Sequence, residues 1–232
     1  MSNGYFKDNG YFVDETLDGG DSAVRAGISS GFGKEFESRV WHYVNDKGIC
    51  VRHPMQIPWQ NPNNFSRDQL ICLCLGLWSE GRFTALNAIF WSHFKRAFFC
   101  QNIDRDHPGT TKYPFPHQFM YNGKLIKRSF DFRDPLLPHD IWYLIKAAEI
   151  KWLYPFAIIG IPSFIISLII HCKGKHNEDN QILSQCMVNG AWAVSLFKHL
   201  KPNWRDKVTK YWETDRREPY FSTIIISKIE KI

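Results

Sequence analysis

Ser66-Arg67-Asp68-Gln69-Leu70-Ile71-Cys72-Leu73-Cys74-Leu75 is the stretch that decides the fold class. A serine followed three residues later by glutamine is a capping-box pattern, in which side chains meet the orphan N–H groups of a helix start. The apolar run behind it predicts a helix over 67–78, with Ser66 accepting from the backbone N–H of Gln69. Working outward, helical patterning recurs at 22–28 behind Asp21, at 34–44 (Phe36, Val40 and Val44 at four-residue spacing), and at 84–99, 138–153, 178–200 and 203–214. The Pro- and Asn-rich segments 51–65 and 101–137 read as loops, with one hairpin signal over Phe119–Ile126 around Asn122-Gly123.

The chain opens on a two-copy repeat, Asn3-Gly4-Tyr5-Phe6 and Asn9-Gly10-Tyr11-Phe12, whose Asn-Gly pairs predict tight turns between short extended pieces. Residues 1–16 are therefore expected to form an aromatic segment that packs on its own domain or on a neighbour, and 17–232 a single helical domain. The fold class expected is mainly α: a partial (α/α) toroid or orthogonal helical bundle with a small β-hairpin.

Composition narrows the functional classes. Hydrophobic content of 44% excludes a wholly disordered chain, and a mean hydropathy of −0.33 excludes a polytopic membrane protein. Aromatic residues reach 16%, enough to line a cleft or an interface. The net charge of +6 sits almost wholly in residues 151–232, which hold 12 Lys and Arg against seven Asp and Glu. Such a balance attracts phosphate groups, but no basic block is dense enough for a specific nucleic-acid arm. Six cysteines without a C-x-x-C pair read as reduced, buried thiols. The polar start predicts no signal peptide.

Between Lys151 and His171 lie 19 residues without a formal charge, Trp152–Ile170. Their length and flanks suit a membrane helix, whereas Pro155, Gly160 and Pro162 suit short buried helices. The core reading is favoured here. It expects a break at Pro162, a separate helix over Ser163–Ile170, and cover from residues 70–77 and 182–197.

Chemistry-bearing residues are sparse. Asp14, Asp18 and Asp21 lie close in sequence, but without EF-hand spacing or the closing glutamate, so no metal is expected. No nucleophile elbow, phosphate loop, zinc-protease motif or dinucleotide fingerprint is present, and no cofactor is expected. Asp21 and Asp68, each at a helix start, form a catalytic acid pair if the two helices are neighbours, with Arg25 and Arg67 beside them. One carboxyl would donate a proton and the other attack or activate water. His53, in Arg52-His53-Pro54, titrates in the range useful for acid–base work. Trp59 and Trp78, with Trp91 and Trp142, are candidate platforms for sugar stacking. Each also has a plain structural use, as helix cap, loop-fixing histidine or core aromatic.

The series Gly20-Asp21-Ser22-Ala23-Val24-Arg25, then Arg52-His53-Pro54, then Ser66-Arg67-Asp68-Gln69 resembles an uncharacterised group of bacteriophage proteins carrying G-D-[ST]-A-x-R and S-R-D-Q segments in this order. Glu178-Asp179-Asn180 resembles that group's acidic segment before a helix, with Asn180 in place of a further acid. The alternating helices also resemble the (α/α) toroids of some carbohydrate-active proteins. These resemblances imply a virion or tail component, located in the virion or host cytoplasm, partnered by other virion proteins and binding glycan in an aromatic and acidic cleft. Two other classes stay open: a membrane-interacting protein anchored or inserted through 152–170, and a small glycoside-cleaving enzyme using the acid pair.

Overall fold

The computed structural model describes residues 5–33, 39–55, 65–98, 117–121, 124–128, 136–174 and 179–232. Over these residues the protein is mainly α-helical, with two small antiparallel hairpins. In the first, β1 (Phe6–Asp8) pairs with β2 (Tyr11–Val13) across Asn9-Gly10, both at positive φ, which is the turn the Asn-Gly pair predicts. All three residues of β2 are buried in the main core, and Tyr5 packs on the rings of Tyr220 and Phe221. The second pairs β3 (His117–Tyr121) with β4 (Lys124–Arg128), where the sequence signals a hairpin.

The capping-box segment produces the central helix, α2 (Arg67–Ser79). Leu70 to Leu75 are all fully buried, so this helix is apolar on every side and must be surrounded. Its surroundings are α1 (Ser22–Ile28) with the π-helical turn Ser29–Gly33 that follows it, the 3-10 turn Val40–Tyr43, α3 (Phe83–Lys95), α4 (Pro138–Ala147) and α7 (Asn180–Asn189). α1 comes so close that a Cβ on Gly27 would lie 2.0 Å from the Cys72 carbonyl oxygen, and only glycine permits this approach. Outside this shell lie α5 (Tyr154–Ala157), α6 (Gly160–Lys173), α8 (Ala191–Leu200), α9 (Trp204–Thr209) and α10 (Pro219–Glu230).

Several sequence expectations are corrected. Ser66 does not accept from the Gln69 N–H; its hydroxyl donates to the Asp68 carboxylate, and Gln69 reaches back to Gly20 instead. Asp21 makes no side-chain cap either, because Arg216 holds its carboxylate. The helix expected over 34–44 lies outside the described residues up to 38; beyond them Val40–Tyr43 form a single 3-10 turn and Val44 is extended. The long helix expected over 178–200 breaks at Gly190, whose φ is +96°. The helix expected over 203–214 passes into a π-helical segment, Lys210–Asp215. α10 was not foreseen.

Trp152–Ile170 is interrupted, but not at Pro162. A 3-10 turn (Lys151–Leu153) leads into α5, and the chain bends by 68° before α6 begins. Pro162 sits in the first turn of α6, where its missing N–H has no partner to lose. α6 packs chiefly on α4 and then on α8, not on α2. The expected cover is therefore only partial: Ala157, Gly160, Phe164 and Leu168 are buried, and the rest of the run is half-buried or exposed.

Candidate functional site

Two surfaces compete for function: a polar junction around Gly20 and an apolar shelf made by α3, α5 and α6. The junction brings together the three motif segments. Arg52 Nη1 donates to the Gly20 carbonyl at 3.0 Å, and Gln69 Nε2 donates to the same oxygen at 2.7 Å. The Ala23 N–H donates to the Arg52 carbonyl at 3.1 Å, which ties the start of α1 to the Arg52-His53-Pro54 loop. Asp14 closes the preceding loop by accepting from the backbone N–H groups of Thr16 and Asp18. Those bonds and nearby Arg25 lower its pKa, against the desolvation that would raise it.

The sequence-predicted residues separate at this junction. Asp21 is half-exposed and paired with Arg216 at 3.0 Å. Asp68 is half-exposed and accepts from Ser66. Both carboxylates therefore accept hydrogen bonds, whereas a glycosidic general acid must donate one. Arg25 does not face a cleft with them. It is buried, with Nε 2.9 and 3.0 Å from the two oxygens of buried Glu218. Burial pushes the Glu218 pKa up even though Arg25 opposes it.

Arg67 points away toward Asp140, Nη1 to Oδ2 at 3.6 Å. Asp140 is fully buried and caps α4 by accepting from the Leu137 N–H at 2.9 Å, while Gln185 Nε2 donates to its other oxygen at 2.6 Å. His53 is buried edge-on to Tyr11, its Nδ1 accepting from the Met55 N–H, and burial lowers its pKa. Trp59 lies outside the described residues. Trp78 is half-buried against the core, and Trp142 is a core residue whose indole donates to Asn189 at 2.9 Å. Among the described residues, no group of three or more His, Cys, Asp or Glu is placed to hold a metal ion.

The shelf is what sequence reasoning undervalued. Trp152, Phe156, Ile158, Ile159, Ile166 and Ile170 are exposed, Phe156 to 79% and Ile159 to 68%. Trp91 and Phe94 of α3 adjoin the 152–159 part of this run, with the Trp91 ring stacked on Trp152 at 6.4 Å and 23°. Between α3, α4 and residues 152–159 lies a cavity of about 470 Å³ whose walls are apolar. The absence of charge from 152 to 170 signals this surface, but charge alone cannot tell a buried run from an exposed one. The alternative cue is the face opposite Phe164 and Leu168, which carries Ile166 and Ile170 rather than polar residues.

Among the described residues no single helix is long and apolar enough to cross a membrane; the bent pair 151–157 and 160–173 meets that length and composition only jointly. The chain matches no protein-family profile, no curated protein and no solved structure.

Proposed function

We propose that this is a membrane-interacting protein that lies on a bilayer through the bent pair α5–α6 and the adjoining face of α3. The observation that carries this reading is the exposure of six large apolar side chains in one continuous segment, Trp152 to Ile170. Contiguous apolar surface rimmed by polar residues marks a contact with lipid or protein. Lys151 and Lys173 stand at the two ends of the segment, and the C-terminal third carries nearly all the net positive charge. An apolar face framed by cations suits the interface of an anionic bilayer, with Trp at headgroup level. The 68° bend favours lying in the plane over spanning it. The resemblance to phage proteins supplies the proposed setting, a virion component that meets the host membrane.

Vesicle cosedimentation tests the reading. The protein is expected to pellet with anionic vesicles, and the double variant Ile166→Asp/Ile170→Asp, which replaces exposed side chains, to stay in the supernatant. Equal pelleting of the two proteins, or none by either, contradicts it.

A second reading rests on the Gly20 junction, where Arg52 and Gln69 donate to one carbonyl and the half-exposed carboxylates of Asp21 and Asp68 belong to the adjoining helix starts. These groups suit hydroxyl-rich ligands, so glycan binding at this junction is the accompanying proposal. Asp21→Asn/Asp68→Asn is expected to weaken retention on a glycan array without changing vesicle binding.

A further inference from the structure

We infer that the cavity between α3, α4 and residues 152–159 is a binding site for the alkyl chain of a single-chain anionic amphiphile, of the class of long-chain fatty acids. The inference rests on the membrane reading, because the cavity opens on the same shelf, but it assigns a ligand that surface contact alone does not require. The walls include Phe90, Phe94, Ile141, Ile145, Trp152 and Phe156, and the lining is apolar apart from the indole N–H groups of its two tryptophans. The walls offer almost no hydrogen-bond partners, which disfavours sugars, nucleotides and peptide backbone and favours a hydrocarbon. The volume of about 470 Å³ lies within the range of small-molecule sites.

The head of the ligand follows from what lies on the other side of Trp91. That ring lines both the apolar cavity and a neighbouring depression in which Ile49 and Ala88 are rimmed by Asp46, Lys47, Ser92, Lys95 and Arg96. Three cations face one carboxylate in that depression, and Lys95 is exposed. His93, on the buried side of α3, adds no charge: burial pushes its pKa down to about 3. Trp91 is thus a wall common to the cavity and a cationic depression, and a chain seated in the cavity with its head beyond this ring meets those cations. Charge complementarity there favours an anionic head.

Isothermal titration with hexadecanoate tests the assignment, using the full chain. Saturable one-to-one binding is expected, and shortening the ligand by two methylenes should weaken it about ten-fold, following the transfer free energy of each buried methylene. Ile141→Trp, which fills the cavity from α4 and lies outside the proposed membrane face, should weaken binding at least ten-fold while pelleting with anionic vesicles like the native protein. Ile145→Trp, also on α4, is read in its place if that variant melts early. Lys95→Glu should weaken hexadecanoate several-fold. Absence of saturable binding, or native affinity in the cavity-filling variant, overturns the inference, as does an unchanged affinity in Lys95→Glu. Vesicle binding without hexadecanoate binding defeats this inference alone, and hexadecanoate binding without vesicle binding defeats only the membrane reading.

Discussion

The Glu218 carboxylate and the Arg25 guanidinium sit 193 positions apart in sequence and meet in the core, both almost wholly out of solvent. Removing one partner of such a pair leaves a buried charge, so Glu218→Ala is expected to cost about 3–5 kcal/mol in urea unfolding. Its pKa is raised by burial, so the stability tied to this group is present below the ordinary carboxylate range and declines as pH rises through the folded value. Histidines work in the other direction. Burial lowers the pKa values of His53, His93 and His139, that of His93 from 6.5 to about 3, so their contribution is present above 6.5 and lost as pH falls. Urea midpoints are expected to drop between pH 7 and pH 5, with His93→Leu reducing the slope by up to about 1.4 kcal/mol per pH unit. A midpoint that is flat over that range contradicts the burial of these rings. None of this was legible locally: Arg25 and Asp21 share a segment, yet one enters the core and the other pairs with Arg216, because their partners come from the far end of the chain.

At the scale of elements, α1 and α2 approach so closely at Gly27 that the backbones nearly touch. Gly27→Ala would drive a methyl group into the Cys72 carbonyl, and the two helices must separate to admit it. A loss of about 1–3 kcal/mol or more is expected by chemical denaturation, against roughly a few tenths for Ser66→Ala, whose hydroxyl caps no backbone N–H. A large loss from Ser66→Ala would restore the capping box. The existence of α2 was legible because the serine start and the apolar run agree, even though the hydrogen bonds at that start differ from the expected ones. The break near Ile158 was not legible at its true place. Proline tolerates a first helical turn, so Pro162 opens α6 rather than ending it. α10 escaped because its start, Glu218-Pro219, follows a π-helical segment and carries no polar side-chain cap.

Over the whole molecule, the mainly helical class followed from apolar periodicity, whereas the shelf required knowing how many helices surround each one. Among the described residues α2 is enclosed by four helices and by the turns Ser29–Gly33 and Val40–Tyr43; α6 is covered on one stripe by α4 and α8, and its far face is left open. That difference turns two similar apolar runs into a core and a surface. On the proposed membrane reading, the basic C-terminal third should make binding depend on anionic lipid, and the pelleted fraction is expected to fall as salt screens it. Salt-independent pelleting would point to a purely apolar contact. The most direct test is hydrogen exchange of the free protein and of the protein with anionic vesicles. The account predicts slowed exchange confined to residues 151–173 and the outer face of α3, with α1 and α2 unchanged. Protection elsewhere, or an unchanged pattern at saturating vesicle concentration, would contradict it.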